Sequence, residues 1–424
     1  MKKSDVKYQS YIQILKEELI PAMGCTEPIA LAYAAAKARE ILGVLPDRVA
    51  IGASGSIIKN VKSVIVPNTD HLRGIPAAAT AGIVAGKAEK ELEVISEVSK
   101  EQIEQMKTFL DTVDISVEHV DYGVTFDILV DVWKETDHAK VRIANFHTNI
   151  VHIEKNGEIL LDIPVEDDSD KGLTDRSLLD VESIWDFITT VDIKDIHDLL
   201  KRQIECNTAI AEEGLRGNYG ANIGKVLLKT YGNDVRTRAK AMAAAGSDAR
   251  MNGCELPVII NAGSGNQGMT CSLPLLEYAK EYQIEEETLY RALALSNLIA
   301  IHQKTGIGRL SAYCGAISAG CAAACGVAYL LGEDLETISK TLTNSLAITS
   351  GIICDGAKAS CAAKIATAVE SGLMGYYICK NKKNFCDGDG IIGIGVEKTI
   401  KNIGTLASKG MRETDKVIIG IMTE

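Results

Sequence analysis

From Leu310 to Gly332 the chain carries no charged residue. The run is long enough to cross a bilayer, but it consists mostly of Ala, Gly, Ser and Cys with few large apolar side chains. Membrane insertion is driven by Leu, Ile, Phe and Val, so a buried helix is expected here rather than a membrane span. The same bias runs through the whole sequence, where aromatic residues make up only 5% while Ala and Gly are abundant. A core poor in rings and rich in small side chains predicts helices packed at close range. A chain of 424 residues exceeds one core of usual size, so two domains, or three, are expected. Its 46% hydrophobic and 24% charged residues are the balance of a folded globular protein.

Residues 7–20 read as an amphipathic helix, with Tyr8, Tyr11, Ile12, Ile14, Leu15, Leu19 and Ile20 among charges. Pro21 ends or kinks it. Thr26 can cap, and Pro28 can enter the first turn of, an Ala-rich helix running to about Leu42. From about 45 to 165 the pattern changes. Strands are expected at 49–51, 61–66 and near 115–119, and helices over 77–100 and 102–110. A meander follows over 124–132, 140–153 and 158–163, with Asn156-Gly157 as a hairpin turn. Residues 165–176 read as an exposed acidic loop, and from about 180 the chain reads helical nearly to its end. The fold class expected is α+β, a mainly helical domain with an inserted α/β domain.

The net charge of −12 comes without any basic stripe, so nucleic acid is not an expected partner. The first ten residues contain no apolar signal-peptide core, and a cytoplasmic location is expected. Eleven cysteines stand at 25, 206, 254, 271, 314, 321, 325, 354, 361, 379 and 386. An odd number in a large chain of a reducing compartment argues against a disulfide framework and raises the odds of a thiolate-bound metal.

Four of these cysteines have unusual settings: Cys25 in Pro-Ala-Met-Gly-Cys-Thr-Glu-Pro, Cys314 in Arg-Leu-Ser-Ala-Tyr-Cys, and Cys354 and Cys361 either side of an Asp-Gly turn. The spacing matches neither zinc CxxC pairs nor ferredoxin runs. On spacing alone, buried cysteines acting as small hydrophobes are an equal reading, and Cys321 and Cys325, at helical spacing in an Ala-rich stretch, are read as packing residues.

These segments, with Phe-His-Thr-Asn-Ile-Val-His (146–152) and Ala-Gly-Ser-Gly-Asn-Gln-Gly (262–268), resemble the L-cysteine desulfidase family, which is related to the iron–sulfur L-serine dehydratases. The resemblance runs in order from about residue 10 to the C-terminus. It implies a [4Fe-4S] cluster held by Cys314, Cys354 and Cys361, with Cys25 also in the site, and L-cysteine split to pyruvate, ammonia and sulfide. Three thiolates leave one iron open as a soft Lewis acid for a sulfur leaving group. Cys25, at a helix N-terminus where a thiol pKa can fall, is the expected base for the α-proton; its rival role is a fourth ligand displaced by substrate. Because Cys25 must reach the other three, residues 1–44 and 201–424 are expected to form one discontinuous catalytic domain around an α/β domain over 45–200. A small amino acid is the expected partner, and a homodimer is allowed.

Gly263 to Gly268 also match G-x-G-x-x-G. A dinucleotide site needs a βαβ unit, whereas Pro274 and a helical continuation follow. The exposed backbone N–H groups instead suit an anion, so Gly265, Asn266, Gln267 and Gly268 are assigned to the substrate carboxylate, with a plain turn as the other reading. Arg309 is a second candidate for that carboxylate or for the cluster, with a surface ion pair an equal reading; Arg250 is a weaker candidate of the same kind. His147 and His152 would lie on opposite faces of one strand, so a shared metal is not expected, and His71 has no assigned role. The other readings carried forward are a dehydratase acting on serine, a non-catalytic zinc protein, and a pyridoxal-phosphate lyase, for which neither Lys358 nor Lys364 sits in a suitable motif.

Overall fold

A computed structural model describes residues 1–165 and 173–423. The N-terminal helix α1 (Val6–Glu18) ends before Pro21, which opens a short strand, β1 (Pro21–Met23). Helix α2 (Thr26–Leu42) follows with Cys25 as its N-cap and Gly43 in the left-handed conformation at its end. Next come β2 (Arg48–Ala53), α3 (Gly55–Val61), α4 (Gly74–Ala85) and α5 (Lys100–Thr112), the last opened by a Ser99–Gln102 capping box. Strands β3 (Asp114–His119), β4 (Asp127–Lys134), β5 (Asp137–Ala144), β6 (Ile150–Lys155) and β7 (Glu158–Asp162) complete a six-stranded sheet of order β3-β2-β4-β5-β6-β7. Only β2–β3 is parallel. The sheet is covered on one face by α2, whose residues are buried almost all round.

The rest is helical: α6 (Val181–Thr190), α7 (His197–Arg216), α8 (Ile223–Tyr231) and α9 (Val235–Met251), then the short strand β8 (Pro257–Ile259) paired antiparallel with β1. Helices α10 (Gly265–Tyr282), α11 (Glu286–Ile307), α12 (Gly315–Leu330), α13 (Leu335–Ile348), α14 (Cys361–Lys380), α15 (Gly395–Thr405) and α16 (Arg412–Thr423) follow. The fold class is α+β and mainly helical, as expected. The uncharged run becomes α12, which packs against α10, α11, α13 and α14 at the centre of the helical layer. Its small residues set that packing: a Cβ on Gly320 would lie 2.5 Å from the backbone of Ala368, and one on Gly372 would lie 2.4 Å from the Gly320 carbonyl. Among the described residues no helix is long and apolar enough to cross a membrane.

Several sequence expectations are corrected. Residues 61–66, read as a strand, are the end of α3 and a turn held by an isolated Ile65–Arg73 bridge, because the apolar run belongs to a buried helix end rather than to a pleat. The strand expected over 140–153 is broken at 145–149, where Asn145 takes a left-handed φ of 71°. Pro274 lies inside α10 without ending it. The dinucleotide reading fails for a different reason: β8 belongs to a two-stranded antiparallel ribbon, not to a parallel crossover. The N-terminal arm is shared, with α1 on α11, β1 on β8, and α2 on the sheet and α4. Helix α6 packs on α11. Of the acidic loop expected over 165–176, residues 166–172 lie outside the described residues. At its end Arg176 is buried and bonds Glu17 and Glu18.

Candidate functional site

Four helix N-termini face one cavity of about 100 Å³. Cys25 is the N-cap of α2 and Ser264 that of α10. Cys314 is the N-cap of α12, and Cys361 is the first residue of α14. Cys354 joins them through a short antiparallel crossing in which the Cys314 N–H donates to Ile352 O at 2.9 Å and the Cys354 N–H donates to Ala312 O at 2.7 Å. All four cysteines line the cavity, with Glu27, Asn60, Arg250, Asn266, Gln267, Lys304 and Arg309. The turn between Cys354 and Cys361 rests on α3: Gly356 has a φ of +91°, and a Cβ there would meet Lys59 O at 2.1 Å. Only glycine satisfies both conditions.

All eleven cysteines are free thiols. Cys314 donates a hydrogen bond to Cys354. That bond, with the Lys59 and Lys364 charges, pulls the Cys354 pKa down, while the Cys314 thiol is pushed up. Lys59 is buried and ion-paired with Asp415 of α16; Lys364 bonds Ile353 O and pairs with Asp355. Lys304 is buried in the cavity wall, where among the described residues it makes one hydrogen bond, to Arg309 O at 3.4 Å, and burial pushes its ammonium down to about 8. The pocket therefore gathers thiols and cations in one place, but only Cys354 is drawn toward the thiolate; burial pushes the Cys25 and Cys361 thiols up, and the Cys354 neighbour raises Cys314.

Cys25 departs from expectation. Its Sγ donates to Glu27 Oε2 at 3.0 Å, while Thr26 Oγ1 and Asn60 Nδ2 also donate to the Glu27 carboxylate. Burial first, and then the Glu27 charge, push the Cys25 pKa well above the ordinary thiol value. The helix N-terminus does not lower it, because a partial positive charge is outweighed by desolvation and a full negative charge at hydrogen-bond distance. At rest Cys25 is a thiol whose proton points at a carboxylate.

The remaining predicted residues divide. Asn266 and Gln267 face the cavity, and Asn266 Oδ1 accepts from Arg250 Nη1 at 3.1 Å. Gly265 and Gly268 do not line it and are packing residues instead: a Cβ on Gly265 would lie 2.4 Å from Arg250 Nε, and one on Gly268 would lie 2.0 Å from Ile259 O. Arg309 lines the cavity but is held by Glu18 through both terminal nitrogens, at 3.2 and 2.7 Å. Of its two readings the ion pair is the one observed, and it is half-buried rather than on the surface. Arg250 is nearly fully buried. His152 sits in β6, bonded to Asp162, away from His147, and His71 lies in a separate surface cleft with Asp70 and Glu104. Sequence reasoning gave no role to Glu27, Lys59 or Lys304. Glu27 was legible, two residues past Cys25 in the quoted motif; the two lysines carry no local signal.

His147 is buried behind the cavity, edge-on to Phe126 at 4.8 Å, with its Nε2 unpartnered. Burial lowers its pKa to about 4. The unfolded chain then binds the extra proton between about 6.5 and 4, so this residue's contribution is complete above that window and lost as pH falls through it. Asp248, raised to about 6 by burial, acts with the opposite sign over nearly the same range. The expected result is therefore seen in a difference: urea unfolding of wild type and His147→Gln between pH 7 and 4 should show the wild type losing about 2–3 kcal/mol relative to the variant on acidification. A pH-independent difference would mean that the imidazole charges freely in the folded protein.

In comparison with known proteins, residues 89–420 match the family model described as serine dehydratase alpha chain. The chain is also similar to UPF0597 proteins along its whole length. That of Desulfitobacterium hafniense is 59% identical over 422 residues, covering 100% of this chain and 98% of the relative. That of Lachnoclostridium phytofermentans is 52% identical over 415 residues, covering 98% and 99%. That of Finegoldia magna is 47% identical over 424 residues, covering 98% and 100%.

Proposed function

The chain belongs to the serine dehydratase alpha chain family, and from that premise we propose that it is an iron–sulfur lyase releasing sulfide from L-cysteine by β-elimination. The observation that carries the reading is the convergence of Cys25, Cys314 and the Cys354–Cys361 turn, three stretches far apart in sequence, on one small cavity. The donor chemistry fits a [4Fe-4S] cluster. Cys314, Cys354 and Cys361 are free, incompletely covered thiols, and cations surround them to offset the cluster's negative charge. Among the described residues no three His, Cys, Asp or Glu side chains stand close enough to hold a single metal ion. A four-iron cluster does not require that, since each thiolate binds a different iron, although Cys314 and Cys354 must turn apart from their mutual hydrogen bond to do so. When bound there, the cluster supplies one iron without a protein ligand, a soft Lewis acid for the departing sulfur.

The protein's own residues provide the rest. The N-terminus of α10, with Asn266 and Gln267, offers donors to the substrate. Cys25 Sγ and Glu27 Oε2 form the proton-transfer pair: passing the thiol proton to Glu27 leaves a thiolate to take the α-proton. Loss of that proton and of the Cβ–S bond forms the Cα=Cβ double bond of an enamine, which hydrolyses to pyruvate and ammonia. The small cavity suits a substrate of a few heavy atoms. The test is anaerobic purification with iron and sulfide, followed by parallel assays of sulfide from L-cysteine and pyruvate from L-serine. A brown protein with about four irons per chain that prefers L-cysteine is expected. Preference for L-serine would move the substrate assignment within the family; a colourless protein retaining zinc would overturn the cluster.

A further inference from the structure

Resting on the reading of this cavity as an amino-acid site, we propose that Arg250 receives the substrate carboxylate. Three cationic side chains line the cavity, Arg250, Arg309 and Lys304; the two arginines lie beside the loop that opens α10, against Gly265 and Gly263, and they differ in kind. The Arg309 charge is met by Glu18 through both terminal nitrogens. Arg250 is only 2% exposed. Its one hydrogen bond goes to the neutral Asn266 Oδ1, and its Nε has no partner. Among the described residues it makes no ion pair. Glu27, the carboxylate in the same wall, has its oxygens occupied by Cys25, Thr26 and Asn60.

The placement is also unfavourable in a second way. The guanidinium lies against the first turn of α10, where the absent side chain of Gly265 makes room for it. That is the positive end of the helix, where a cation is repelled. A buried charge without a counterion is costly, and here backbone N–H groups and a guanidinium fork face the same space. An anion bound between them satisfies both at once, by charge-assisted and bidentate contact. Of the groups on a small amino acid, only the carboxylate answers. Gly265, Asn266 and the helix end then act as supports that hold the fork in place.

The experiment uses two thiols that cannot complete the elimination and that each keep one charged group of cysteine: 3-mercaptopropionate, with the carboxylate, and cysteamine, with the ammonium. Each is titrated calorimetrically into the iron-loaded wild type and Arg250→Gln. The variant should bind 3-mercaptopropionate about tenfold or more weakly and cysteamine within about twofold of wild type. Because the charge is uncompensated in the free protein, the variant should melt no lower than wild type, whereas a structural arginine would leave it less stable. If Arg250→Gln does not fold, Arg250→Lys, which keeps the charge and loses the fork, should show the same bias at smaller size. Equal weakening for both thiols, unchanged affinity for 3-mercaptopropionate, or a wild type that does not bind 3-mercaptopropionate overturns the assignment. Failure of wild type to act on L-cysteine or L-serine overturns the reaction instead, and the titrations still report on Arg250.

Discussion

Replacing Cys354 with alanine should remove nearly all cluster iron from the anaerobically purified protein, with activity falling to background. Of the three thiols assigned to the metal it is the one closest to a thiolate, accepting from Cys314 and facing the Lys59 and Lys364 charges. Its backbone is also fixed on both sides, by the Ala312 carbonyl and by the turn at Gly356. A pre-positioned thiolate is the strongest ligand a site can offer, and no neighbouring cysteine can replace it without moving a helix end. The same loss is expected for Cys314→Ala and Cys361→Ala, whereas Cys321→Ala, inside α12 and buried on all sides, should keep its iron. Iron and acid-labile sulfide analysis decides the matter. A Cys354→Ala protein with full iron would remove that residue from the ligand set.

Cys25→Ser should separate binding from turnover. The hydroxyl has nearly the shape of the thiol and can keep the hydrogen bond to Glu27, but its proton is far harder to remove. Since positioned acid–base groups contribute about 10²–10⁴-fold, kcat should fall at least about a hundredfold while iron content stays at the wild-type level. L-Cysteine should still perturb the cluster's visible spectrum without sulfide appearing. Loss of iron together with activity would make Cys25 a fourth ligand and leave the α-proton to another group. Because the Cys25 proton points at Glu27 Oε2, Glu27→Gln should reproduce the kinetic defect; a Glu27→Gln enzyme with normal kcat would break the proton-transfer pair.

Much of this cavity was legible residue by residue. The four cysteines that line it stand at helix starts or in a turn, and such starts are written locally: Gly-Cys-Thr-Glu-Pro at the start of α2 and Asp-Gly before α14 mark where a chain stops one direction and begins a helix. Cys321 and Cys325, read as packing residues, lie in the middle of Ala-rich α12 and are fully buried there. The small-residue bias likewise foretold close helix packing, which the Gly320–Gly372 crossing realises. Charge pairing was not legible. Arg309 and Arg250 look alike in sequence, and their opposite situations depend on Glu18, which lies 291 residues from Arg309.

By itself, then, the sequence determined the fold class and the helix starts that carry the cysteines, because propensity, capping and composition act over a few residues at a time. Only the tertiary structure decided which charges are satisfied and which wait for a ligand. It placed Glu27 against Cys25 in a buried pocket, so that desolvation and a full carboxylate charge overrode the helix end. It set Arg309 on Glu18 and left Arg250 facing the N-terminus of α10 without a counterion. It also laid α2 on the sheet rather than on the helical layer alone. Electrostatic energy depends on distance and on the removal of water, and neither is a property of a local stretch of chain.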